Sequence, residues 1–85
     1  MRTKAELEQA VREGEIISNE DFSTADLSGA MLGGGIFRNV RFDGAKLAGA
    51  SFTESILHEP GFASADLANV DFRHACVMSG NFADA

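Results

Sequence analysis

The chain has 85 residues, one cysteine and a formal net charge of −6, from thirteen acidic and seven basic side chains. That length bounds it to one domain, a lone cysteine excludes an internal disulfide, and the acidic balance opposes direct nucleic-acid binding, which requires a basic surface. No apolar run reaches the about 18 residues of a membrane span, the opening MRTKAELEQAVREGE lacks the apolar centre of a secretory signal, and a single thiol fits a reducing compartment, so a cytoplasmic protein is expected.

The first predicted element is a helix over residues 3–13. Thr3 and Glu6 have the spacing of a capping box, and Ala5, Leu7, Ala10 and Val11 recur at helical intervals. Gly14 suits the left-handed conformation that ends many helices. The helix is expected to be a cap. It precedes a stack of coils whose first layer exposes backbone groups and apolar side chains, and Leu7, Val11 and Ile16 are expected to cover that layer. A helix that binds a partner is the alternative.

The rest of the chain counts in fives. Stepping from Phe22 gives Phe22, Leu27, Leu32, Phe37, Phe42, Leu47, Phe52, Leu57, Phe62, Leu67, Phe72, Val77 and Phe82, all large and apolar. The position two earlier is nearly always small, as in Ala25, Ala30, Gly35, Ala45, Ala50, Ser55, Ala65, Ala75 and Gly80. Helices repeat near 3.6 and flat strands every 2 residues, so a period of five fits neither. It fits a chain that turns a corner after each short extended piece and sends one large and one small residue inward per piece. Steps of twenty align Phe22, Phe42, Phe62 and Phe82 in one column and Leu27, Leu47 and Leu67 in another, which implies four pieces per coil. Ile17 is in the same register. The expected organisation is therefore residues 1–16 as cap and lead-in and residues 17–85 as a solenoid of about three coils, on the order of 16 Å tall at roughly 4.8 Å per coil.

The segments ADLSG at 25–29, AKLAG at 45–49 and ADLAN at 65–69 resemble the pentapeptide repeat, A(D/N)LXX. The resemblance implies an all-β solenoid, a right-handed quadrilateral β-helix with a short N-terminal capping α-helix. It implies that the thirteen large residues form an inward core stack and that the other positions face out. Two residues depart from the pattern. Glu20 stands in a small-residue slot, so the first coil is expected to start after it. Pro60 stands in another and cannot donate a backbone hydrogen bond, so an irregularity is expected near His58–Gly61. Glycines 29, 44 and 49 fall at corners, where positive φ is needed.

Two surfaces stand out. On the fourth face the outward residues before each centre are Ile36, Ile56 and Cys76, and Met78 lies beyond Cys76, where other faces carry Asp, Ser, Lys or Arg. An exposed apolar ladder of this kind marks a contact surface; the competing reading is that β-branched residues simply favour flat strands. The 85-residue sequence also stops in mid-repeat, with Ala85 in an inward slot beside Phe82, so that end is expected to be open and to meet a second copy, another protein or a continuation of the chain. The resemblance favours a homodimer there.

Little points to chemistry. His58, His74 and Cys76 are the only candidates for soft ligation or nucleophilic attack, and a metal site needs three or four converging ligands. No catalytic, cofactor-binding or metal-binding residue is assigned, and no cofactor, membrane or small-molecule substrate is expected. The expected function is non-enzymatic protein–protein interaction or scaffolding through the ladder or the open end. Two alternatives accompany it. Some members of the family imply an acidic DNA mimic that binds a type II topoisomerase such as gyrase, although here Asp26, Lys46 and Asp66 alternate in one column. The other is an adaptor of a bacterial secretion assembly.

Overall fold

The computed structural model describes all residues from Met1 to Ala85. It opens with one helix, α1 (Lys4–Arg12), followed by four three-residue strands: β1 (Ile16–Ser18), β2 (Ile36–Arg38), β3 (Ile56–His58) and β4 (Cys76–Met78). The helix begins where its sequence places a cap. The Glu6 amide donates to Thr3 Oγ1 at 3.2 Å, and the Thr3 amide donates to Glu6 Oε1 at 2.8 Å. It ends at Gly14, which takes φ +77°. The Gly14 amide donates to the Val11 carbonyl and the Glu15 amide to the Ala10 carbonyl, both at 3.0 Å, so two last-turn carbonyls that have no partner inside a helix are satisfied.

The strands form one parallel sheet in the order β1-β2-β3-β4. Each residue pairs with the residue twenty later: Ile16 with Ile36, Ile36 with Ile56, Ile56 with Cys76. Single bridges at the same offset run up the other faces, as in Asp21–Arg41–Gly61–Asn81 and Asp26–Lys46–Asp66. The chain thus returns to its own start every four pentapeptides. Backbone hydrogen bonds run between coils: the Phe42 amide donates to the Gly61 carbonyl at 2.6 Å and the Arg41 amide to the Glu20 carbonyl at 3.0 Å.

The corners explain why five residues suffice for a side. Two residues after each centre the backbone takes positive φ, at Gly29, Gly34, Gly44 and Gly49 and also at ten residues other than glycine, among them Thr24 (+64°), Glu54 (+56°) and His74 (+59°). Side chains in this region crowd the backbone at a cost of about 1–2 kcal/mol each. The exposed, β-branched Thr24 is the least suited. Thr24→Gly is expected to raise stability by about 0.5–1 kcal/mol, the relief of strain less the added freedom of the unfolded chain; an unchanged urea midpoint would refute this.

Pro60 causes no break. At most corners the small residue donates back across the turn, as Ala25 does to Phe22 at 3.1 Å and Ala45 to Phe42 at 3.0 Å. At the corner after each strand this bond is absent, and the amides of Glu20, Val40 and Gly80 donate to no backbone carbonyl. Pro60 occupies the same corner one coil from Val40, so its ring replaces an amide that has no bond to lose. Its carbonyl still accepts from the Asn81 amide at 3.0 Å. The expected irregularity is absent for that reason. Nor does the solenoid wait until after Glu20: β1 already pairs with β2, and Ile17 is fully buried. Glu20 fits because no coil lies beneath it, and its carboxylate meets the Arg2 guanidinium at 3.1 Å.

The core is a set of side-chain columns. Phe22, Phe42, Phe62 and Phe82 stack at centroid separations of 5.8, 5.2 and 5.1 Å. Phe52 and Phe72 stack at 5.5 Å and meet the first column edge-on. Leu7, Ala10 and Val11 of α1 close the lower end and join the same buried cluster. The centres from Ile17 to Phe62 are buried, whereas Leu67 and Phe72 are partly buried and Val77 and Phe82 are 37% and 42% exposed. The sequence period treats all thirteen centres alike; burial does not, because an inward side chain is enclosed only when another layer lies above it.

Candidate interaction surfaces

The strand face carries the outward ladder. Strand pairing places Ile16, Ile36, Ile56 and Cys76 directly above one another, with Ser18, Arg38, His58 and Met78 as the neighbouring column. Alternation along each three-residue strand forces this arrangement, because the middle residue points inward and its two neighbours point out. Ile16 is 51% exposed, Ile36 36%, Ile56 42% and Met78 42%, and Cys76 is exposed with a free thiol. Ile16 was expected to help cover the first layer. It stands outside as the first rung, because Ile17, one residue on, takes the inward position. The signal was in the sequence: Ile16 lies twenty residues before Ile36.

The rim of the last coil is the second surface. It presents Leu67, Phe72, Val77 and Phe82 without a layer above them, and Ala85 is exposed beside them. The amides of Leu67, Asn69, Phe72, His74, Phe82 and Asp84 donate to no backbone carbonyl, whereas their equivalents one coil below do. Cys76 and Met78 join this rim to the top of the ladder. The lower end is finished differently. The Met31 amide donates to Glu8 of α1 at 2.7 Å, so a helix carboxylate takes the place of a carbonyl from a lower coil.

The remaining faces are polar and locally satisfied. Hydrogen bonds from the Ser23 hydroxyl and amide hold Asp21 below its ordinary carboxyl pKa, and Ser28 does the same for Asp26. The Arg73 side chain, then its amide, lowers Asp71, which it meets at 2.8 Å. Arg41 is raised by its bond to Asp43, also at 2.8 Å. Acidic and basic residues alternate up the bridged columns (Asp21, Arg41; Asp26, Lys46, Asp66), so no continuous acidic row is built. Arg38, on the ladder face, has no carboxylate within 4.0 Å.

The residues considered for chemistry do not converge. His58 pairs with Met78 in the sheet, His74 forms the corner before β4, and Cys76 opens β4. No three His, Cys, Asp or Glu side chains gather as metal ligands. The one recess, about 450 Å³, lies outside the solenoid beside α1 and is lined by Arg2, Ala5, Glu6, Gln9, Ala10, Glu13 and Glu15. No helix is long and apolar enough to cross a membrane. In comparisons with known proteins, a family model described as pentapeptide repeats matches residues 19–59 in eight copies. The search of curated proteins matched nothing.

Proposed function

The chain belongs to the pentapeptide-repeat family, and we propose that it is a non-enzymatic interaction scaffold whose contact surface is the isoleucine ladder of the strand face. The observation that carries this reading is the outward stack of Ile16, Ile36 and Ile56, each between 36% and 51% exposed, where the equivalent positions of the other faces hold Asp, Arg, Lys, Ser, Gly and Asn, with Met31 the one apolar exception. Packing needs the inward residues only. Nothing in the coil requires an isoleucine on the outside three times over, and burying such side chains against a partner is favourable at roughly 25 cal/mol per Å². Alternating charge on the other faces supports a solvated surface there rather than a DNA-like one.

The test is the double variant Ile36→Asp, Ile56→Asp. Its far-ultraviolet spectrum should match the parent, because both side chains lie outside the core. Association, read as solution mass by light scattering and as retention of proteins from native extract, should fall by more than about a hundredfold, since each buried carboxylate costs several kcal/mol. Retained association with an intact fold would sink the reading.

A further inference from the structure

We propose that the occupant of the ladder is a second copy of this chain, docked face to face with the coil axes antiparallel. This rests on the ladder being a contact surface and adds its partner, symmetry and register. Each rung offers three outward positions. From the first strand upward they read Ile16, Ser18, Asn19; Ile36, Arg38, Asn39; Ile56, His58, Glu59; and Cys76, Met78, Ser79.

A closed pair of identical chains is related by a two-fold axis, and two such axes lay this face on its copy. An axis along the coil keeps the rung order and reverses the strands. Centred on the face, it sets the isoleucine column against the Arg38–His58 column and buries a cation on apolar surface, which is costly. Shifted onto the isoleucine column, it lays Arg38 on the partner's Gly34 and leaves both Arg38 and Glu59 without an opposite charge. An axis along the strands keeps the strand direction and reverses the order of the rungs. Ile36 then meets the partner's Ile56, and Ile16 meets the partner's Cys76, so the apolar column packs on itself along its whole length.

The charges agree with the second axis. It brings Arg38 beside the partner's Glu59, and by symmetry Glu59 beside the partner's Arg38. Both side chains are exposed, and neither has a salt-bridge partner within its own chain. On the opposite edge, the corner residues Glu54 and His74 fall against the partner's Gly34 and the partner's Gly14, so no like charges meet. Ser18 faces the partner's Met78, and Arg38 also lies alongside the partner's His58.

Four rungs at roughly 4.8 Å and three residues at roughly 3.3 Å make a face far smaller than the about 800 Å² per partner of a standard interface. The dimer is therefore weak and concentration-dependent, and the full chain should pass from monomer to dimer between about 10 μM and about 1 mM in sedimentation equilibrium. R38E and E59R, which each set like charges together twice, should each weaken the dimer by about tenfold or more, and R38E with E59R should restore it to within about threefold. Register is read with a short bis-maleimide: I16C should crosslink to the native thiol of a second chain, whereas I16C with C76S and the parent, whose like thiols lie three rungs or about 14 Å apart, should not. A chain that stays monomeric throughout while the ladder retains another protein overturns the self-pairing and leaves the ladder reading standing. A dimer lost in the double isoleucine variant, but with no rescue by the charge exchange, overturns the antiparallel register alone. A dimer that survives the double isoleucine variant overturns the ladder reading itself.

Discussion

Phe42→Ala should cost about 3–5 kcal/mol, the usual loss for a fully buried aromatic side chain. Its ring is wholly buried and touches four others: Phe22 and Phe62 in its column, at 5.8 and 5.2 Å, and Phe37 and Phe52 edge-on, at 6.0 and 5.7 Å. An 85-residue chain has only about 4–13 kcal/mol in total, so this one change removes a large share of it. The cavity cannot close, because hydrogen bonds to the coils above and below hold the backbone in place. Phe82→Ala is the matched control. That ring occupies the same column but is 42% exposed, with a stacked neighbour on one side only, and about 1 kcal/mol is expected from its smaller contact. Urea unfolding of both variants checks the contrast. Equal losses would mean that the stack does not depend on cover from the next coil.

Leu7→Asp should be nearly as damaging, for a different reason. Leu7 is fully buried at the junction of α1 with the first coil. A carboxylate there has no partner, and α1 must lift to hydrate it, at a cost of about 4 kcal/mol or more. Lifting also removes Glu8 from the Met31 amide and uncovers Ile17, Phe22, Leu27 and Leu32 together. An uncovered coil end is a template for pairing with other chains. The expected result is therefore a lower midpoint together with a rise in scattered light before unfolding. Loss of stability without any increase in mass would show that the lower rim needs no cover. Leu7→Met, which conserves volume, should cost less than about 1.5 kcal/mol and keep the protein monodisperse at low concentration.

The two substitutions act on features that differ in how far they were legible. The period of five, the column of phenylalanines and the cap from Thr3 to Gly14 were readable from residue types alone, because each is a local rule repeated in register. The ladder was readable too, apart from Ile16, which fell at the junction where the helical reading ended and the pentapeptide count had not begun. Two further expectations needed correction, and each turned on what lies above or below a residue. Pro60 is harmless because the amide at its corner bonds to nothing in the neighbouring coils. Glu20 is accommodated because no coil lies beneath it and Arg2 reaches it. Ten corner residues other than glycine adopt positive φ, which their identities did not announce.

The sequence by itself determined the repeat: which side chains turn inward, how many pentapeptides separate stacked partners, and therefore the family. Those features come from side-chain size at fixed intervals, which every coil repeats. Only the tertiary structure decided which inward residues are buried and which backbone groups are satisfied. Leu27 and Leu67 have the same place in the repeat, yet one is sealed and the other half-open. Enclosure comes from the neighbouring layer, and a repeat unit carries no record of whether another lies above it.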